Sequence, residues 1–135
     1  MATFQMSIEE IVSIRILMKT INYAANEIAK FDENYKNQLK EIDSIIIWKI
    51  GRDLTLHTQI KDGEITSGEG EIDNASIAIE IGSTTEALEM LTGKSEIADL
   101  VKKAKVAGDA EEIQQNLFIL EKVKDYLGDL VGGKE

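Results

Sequence analysis

The stretch Ser44–Ile81, SIIIWKIGRDLTLHTQIKDGEITSGEGEIDNASIAIEI, decides the fold. Ile46, Trp48 and Ile50 alternate with Ile45, Ile47 and Lys49, and Gly51-Arg52-Asp53 then supplies a turn. Leu54, Leu56, Thr58 and Ile60 alternate against Thr55, His57, Gln59 and Lys61, the period-two pattern of a half-buried strand. Asp62-Gly63 is the strongest hairpin signal in the chain, because both residues tolerate the positive φ of a tight type I′ turn. A weaker strand covers 64–72, interrupted by Gly68 and Gly70, and a fourth alternates through Ile77, Ile79 and Ile81. The short connections predict an antiparallel meander with one wet face.

Helical texture flanks these strands. On the N-terminal side, Ser7-Ile8-Glu9-Glu10 fits a capping box. Beyond it Ile11, Ile14, Leu17, Met18, Ile21, Ala25 and Ile28 fall on one face of a helix. A second stripe runs through Ile8, Val12, Ile16 and Tyr23. A surface helix needs one apolar face, so two imply that it is either sandwiched within its own chain or meets another. Asp32-Glu33-Asn34 breaks the pattern, and a further turn or two follows over 35–41.

On the C-terminal side, Ser83-Thr84-Thr85-Glu86 is a second cap, leading a helix that stops at Gly93. Ser95-Glu96-Ile97 starts another short helix. Lys103-Ala104-Lys105-Val106-Ala107 reads as a fifth strand, and a last helix runs from about 110 to 127. That helix carries Ile113, Leu117, Ile119, Leu120, Val123, Tyr126 and Leu127 over half its circumference, wider than the ~100° stripe of an ordinary surface helix. Helices thus flank five strands, beginning with a long N-terminal helix.

Composition narrows the function. The 135 residues suit one domain, and 25 acidic against 15 basic residues give a net charge of −10. Nucleic-acid binding needs a Lys/Arg patch to neutralise phosphates, and the one dense basic run, Lys102, Lys103 and Lys105, reads as a solvated helix end. With no Cys and a single His, disulfides, thiolate metal sites and Cys nucleophiles are excluded. Uninterrupted apolar runs such as Ile45–Trp48 fall far short of the ~20 residues that span a bilayer. The N-terminus also lacks a signal-peptide layout. Neither a nucleic-acid partner nor stable membrane insertion is expected, and a cytoplasmic location fits.

No chemistry is legible. Strand alternation turns His57 away from Leu56 and Ile60, and no nucleophile elbow accompanies it. Glu69, Glu71 and Asp73 alternate like a solvated acidic face and lack EF-hand spacing. Gly68-Glu69-Gly70 lacks the Lys and hydroxyl residue of a phosphate loop. Asp109, Glu111 and Glu112 suit the positive end of a helix. No catalytic residue, metal ligand or cofactor is assigned, and an enzyme is not expected. What remains is apolar surface between sheet and helices, either a filled core or an open pocket.

From about Leu39 to Leu127 the chain resembles the sterol carrier protein type 2 family. The residues that carry the resemblance are the Asp62-Gly63 hairpin, the strand Asn74-Ala75-Ser76-Ile77-Ala78-Ile79 and the helix end Met90-Leu91-Thr92-Gly93-Lys94. Lys103-Ala104-Lys105-Val106-Ala107-Gly108-Asp109 before a closing helix completes the set. Ser95-Glu96 replaces the family's Pro-containing turn, Lys102 replaces a Gly, the end Gly133-Lys134-Glu135 is no peroxisomal address, and the N-terminal helix is longer than usual. The resemblance implies residues 1–43 as a helical segment packed on a lipid-binding domain of residues 44–135. It also implies an α/β fold of the α+β type, a five-stranded, mostly antiparallel sheet covered by helices, around an apolar tunnel for fatty acids, acyl-CoA or sterol-like ligands, with no chemistry of its own. The implied tunnel wall is Leu88 and Leu91, then Ile97, Leu100 and Val101, and finally Leu117 and Leu120 of the last helix. The competing expectation is a homo-oligomeric interaction module with a filled pocket. In either case the stripe Ile8, Val12, Ile16 and Tyr23 is the candidate homodimer face.

Overall fold

The computed structural model describes residues 8–52, 54–87 and 104–130. Helix α1 (Ile8–Phe31) and helix α2 (Glu33–Lys40) lead into strands β1 (Ser44–Ile50), β2 (Leu54–Lys61), β3 (Glu64–Glu69) and β4 (Ile77–Ile81). A helical turn at 84–87 follows, then β5 (Lys105–Gly108) and the closing helix α3 (Ala110–Leu130).

Side-chain caps set several of these boundaries. Asp32 Oδ1 accepts from the Tyr35 amide at 3.1 Å, Ser83 Oγ from Glu86 at 3.2 Å and Asp109 Oδ2 from Glu112 at 3.0 Å. Each satisfies one of the amides that a helix start leaves without an intrahelical partner. Asp62 (φ 55°) and Gly63 (φ 80°) both adopt the left-handed backbone that a type I′ hairpin requires.

The five strands form one sheet in the order β3-β2-β1-β4-β5. β1–β2, β2–β3 and β4–β5 are antiparallel, whereas β1–β4 is parallel, with Ile46 opposite Ile77 and Ile50 opposite Ile81. The antiparallel meander expected from the short connections therefore holds for β1 to β3 and stops there. Three features turn the chain away. β3 ends at Glu69, short of the predicted 72, before Gly70 (φ 81°) and Asn74 (φ 69°) redirect the backbone. The free edge of β3 is already taken by α1, whose Asn26 bonds both backbone groups of Ile65. Finally, Ser76 docks on Ile45, its amide donating to the Ile45 carbonyl at 2.9 Å, which starts β4 on the far edge of β1.

One sheet face carries Ile46, Trp48, Ile50, Leu56, Ile77, Ile79 and Ile81, all buried with Ile14 and Met18 of α1. Ile113, Leu117 and Leu120 of α3 pack against this group. A second apolar cluster joins Ala25, Ile28, Tyr35, Leu39, Ile60 and Ile65 to Ile119 and Val123 of α3. Full burial of an aliphatic side chain contributes about 1.5–3 kcal/mol, so α1 and α3 are held mainly by these two clusters.

Candidate functional site

Helix α3 divides its apolar circumference between two tasks. Ile119 and Val123 are fully buried in the second cluster. Ile113, Leu117 and Leu120 turn toward the sheet but are only partly buried. Five residues of the stripe read from the sequence thus face apolar clusters, whereas Tyr126 is exposed, and the sheet-facing row keeps accessible apolar surface. Of the expected tunnel residues, Leu117 and Leu120 lie together on this face of α3. Leu88, Leu91, Ile97, Leu100 and Val101 lie outside the described residues.

Several other sequence candidates have structural roles. His57 is half-buried on the outer sheet face, its Nδ1 3.0 Å from the Gly70 carbonyl, a contact suited to the Nδ1–H tautomer. Its ring lies over Gly68, its register partner on β3. Glu69 and Glu71 do not share a face. Glu69 pairs with Arg15 of α1, and Glu71 pairs with Lys49 on the outer sheet face at 3.4 Å. The end of β3 at Glu69 separates them. Of the basic run, Lys105 is exposed on β5, and Lys102 and Lys103 lie outside the described residues.

Two features escaped sequence reading. A cavity of about 240 Å³ lies between α1 and β2–β3, lined by Arg15, Met18, Lys19, Leu56, Ser67 and Glu69. Its sequence trace is the i, i+4 spacing of Arg15 and Lys19, which no local rule connects to Glu69. The second is a polar cluster at the start of β1. Ser44 Oγ donates to Glu112 Oε2 at 2.5 Å and accepts from Asn116 Nδ2 at 3.2 Å, while the buried Asn116 Oδ1 has no hydrogen-bond partner among the described residues.

No family sequence model matches the chain, and no curated protein matches it in sequence. Solved structures do match. The UbiJ-SCP2 ubiquinone synthesis protein is similar with a TM-score of 0.61 at 12% identity, over 81% of this chain and 96% of its own. The sterol carrier protein domain 2 of Helicoverpa armigera follows at 0.60 and 13%, over 81% and 88%. Palmitated SCP2L2 from Aedes aegypti gives 0.59 and 13%, over 85% and 95%. The chain has the SCP2-like fold. Among the described residues no helix is long and apolar enough to cross a membrane.

Proposed function

We propose that the protein binds and transfers a hydrophobic small molecule, a fatty acid, an acyl-CoA or a sterol-like lipid, without catalysing a reaction. The observation that carries this reading is the partly buried row Ile113, Leu117 and Leu120, facing the sheet in an SCP2-like fold. The ligand wall is completed by Leu88, Leu91, Ile97, Leu100 and Val101, and residues 1–43 form a helical segment packed on the binding domain of 44–135. Binding is driven by desolvation, each buried methylene contributing about 0.8 kcal/mol. The absence of a long apolar helix among the described residues and the acidic charge support a carrier that works in the cytoplasm and does not bind nucleic acid. Native mass spectrometry of the purified protein is expected to show co-purified lipid. Displacement of a fluorescent fatty acid should be at least tenfold weaker in Leu117→Asp or Leu120→Asp. Unaltered binding in both variants, or no binding of any lipid at micromolar concentration, overturns the reading.

A second reading rests on a different observation. On α1 the outer stripe is exposed throughout, with Ile8 at 78%, Val12 at 44%, Ile16 at 57% and Tyr23 at 67%. These four residues span about a quarter of the helix circumference, so one flat partner can cover them together. A second copy related by a two-fold axis lets the patch meet itself, which supports a homodimer. Light scattering should give a dimer for the unaltered chain and a folded monomer for the double variant Val12→Glu, Ile16→Glu. An unaltered chain that stays monomeric at high concentration refutes the homodimer and leaves the carrier reading standing.

A further inference from the structure

We infer that the seam between α1 and β3 is a separate binding site for an amphiphilic anion, a carboxylate or phosphate monoester on a short acyl segment. The observations are geometric. The cavity of about 240 Å³ has an apolar floor of Met18 and Leu56, both buried, and a polar rim of Arg15, Lys19, Ser67 and Glu69. Two cations meet one carboxylate there. Glu69 pairs with Arg15, and Lys19 has no ion-pair partner among the described residues. The rim therefore keeps a positive charge in a chain whose net charge is −10, and that charge sits above the two buried apolar side chains of the floor. An anion with a hydrocarbon tail matches both halves.

The existing ion pair makes exchange feasible. The Arg15 and Glu69 side chains are 42% and 61% exposed, and pairs in that setting contribute little to stability. An incoming anionic head can take the place of Glu69 on Arg15 while water receives the released carboxylate. Arg suits this role because its planar fork bonds carboxylate and phosphate with two parallel donors. The volume lies below the ~300–1,000 Å³ typical of pockets for drug-sized ligands, which favours a short acyl segment over a polycyclic body. None of the lining residues belongs to α3, but Met18, Leu56 and Trp48 share the cluster against which Leu117 and Leu120 pack, so side-chain variants are what separate this site from the carrier pocket proposed above.

The chain contains its own reporter. Trp48, the single tryptophan, donates to Thr58 Oγ1 at 3.0 Å, and Thr58 in turn contacts Met18 Sδ at 3.9 Å. Trp48 is also the register partner of Leu56. Occupation of the floor therefore changes the environment of Trp48. Titration of the full chain with decanoate and with decyl phosphate, below their micelle concentrations, is expected to shift Trp48 emission saturably. Decanol and decyltrimethylammonium should bind at least tenfold more weakly than the better anion. The two anions distinguish a free fatty acid from a phosphate-headed lipid as the source.

Variants give opposite signs. Arg15→Gln should weaken the better anion at least tenfold, and Glu69→Gln should tighten it severalfold by removing the competing carboxylate. Lys19→Gln, at an exposed position, should weaken it about threefold and stands in for Arg15→Gln if that variant does not fold. Circular dichroism checks folding in each case. Saturable binding that ignores Arg15, Lys19 and Glu69 but falls in Leu120→Asp overturns this site and leaves the carrier pocket intact. An unresponsive Trp48 with both anions at millimolar concentration also overturns it.

Discussion

The side-chain amide of Asn26 takes both outward backbone positions of Ile65. Its Nδ2 donates to the Ile65 carbonyl at 3.1 Å, and its Oδ1 accepts from the Ile65 amide at 3.0 Å. β3 is an edge strand, and an edge with free donors and acceptors is a template for pairing with another chain. Here an α-helical residue imitates the missing neighbour strand. Asn26→Leu is expected to cost about 1–3 kcal/mol, the range for leaving such groups unpaired, and to promote concentration-dependent association. Asn26→Asp keeps the acceptor and loses the donor, so it should fall between the two. Urea unfolding with parallel light scattering checks both effects, and an unchanged midpoint in Asn26→Leu contradicts the assignment.

Two glycines should respond differently to alanine. At Gly68 an added Cβ would lie 2.8 Å from His57 Cε1, a side-chain atom that can move at the expense of the Gly70 contact. Gly68→Ala should cost about 1–3 kcal/mol, the usual range for overpacking, and most of that should vanish in a His57→Ala background. At Gly108 the Cβ would lie 2.8 Å from the Ser76 carbonyl oxygen, which is backbone, and φ is 146°. Strain of that kind alone costs about 1–3 kcal/mol, so Gly108→Ala should be the more damaging, and His57→Ala should not relieve it. Denaturation midpoints of the single and double variants separate the two cases.

Tyr35 links stability to alkaline pH. Its side chain is buried, its hydroxyl donates to the Ile119 carbonyl at 3.2 Å, and burial raises its pKa well above the ordinary tyrosine value, with Asp32 adding to the shift. A group whose folded pKa is raised contributes stability that is present below its unfolded pKa, about 10. That contribution falls as pH rises through and beyond about 10, because the unfolded chain ionises first. Relative to Tyr35→Phe, the unaltered chain should be more stable at pH 8 by about 0.5–1.5 kcal/mol, one buried hydrogen bond, and should lose that advantage by pH 11. Urea unfolding of both chains at the two pH values tests it, and a constant difference contradicts it.

Ser44 holds the start of β1 to α3. Ser44→Ala removes one acceptor of Asn116 Nδ2 and the donor to Glu112 together, in a place where Asn116 Oδ1 already lacks a partner among the described residues. The expected loss is about 1–3 kcal/mol, and it should shrink in an Asn116→Leu background, where no buried amide remains to be satisfied. A double-mutant cycle by chemical denaturation measures that coupling.

The resemblance read from residues 39–127 led to the right architecture, because the signals beneath it are local. Alternation over β1, β2 and β4, the caps at Asp109 and Ser83, and the positive φ of Asp62-Gly63 all follow from interactions within a few residues. The candidate site was legible only in part. The spacing of Leu117 and Leu120 on one helix shows that they share a face. Their spacing does not show that Ile119 and Val123, one and three residues away, bury in a different cluster. Nothing in the sequence marked the cavity at Arg15, whose facing residues come from strands more than forty positions later.

Sequence by itself determined the alternation of β1, β2 and β4, the helical periodicity of α1 and α3, the two stripes of α1, the acidic charge and the lack of any motif for chemistry, since each depends on residue type and short-range geometry. Tertiary structure alone decided that β4 pairs with β1 in parallel and that Asn26 seals Ile65. It also decided that Arg15 and Lys49 draw Glu69 and Glu71 to opposite faces, and that Tyr35 reaches Ile119. The physical reason is chain separation. Residues 35 and 119 lie 84 positions apart, and their hydrogen bond needs the second apolar cluster, which packs α2 against α3. The contact follows from the packing of many side chains at once, and no short stretch of sequence encodes it.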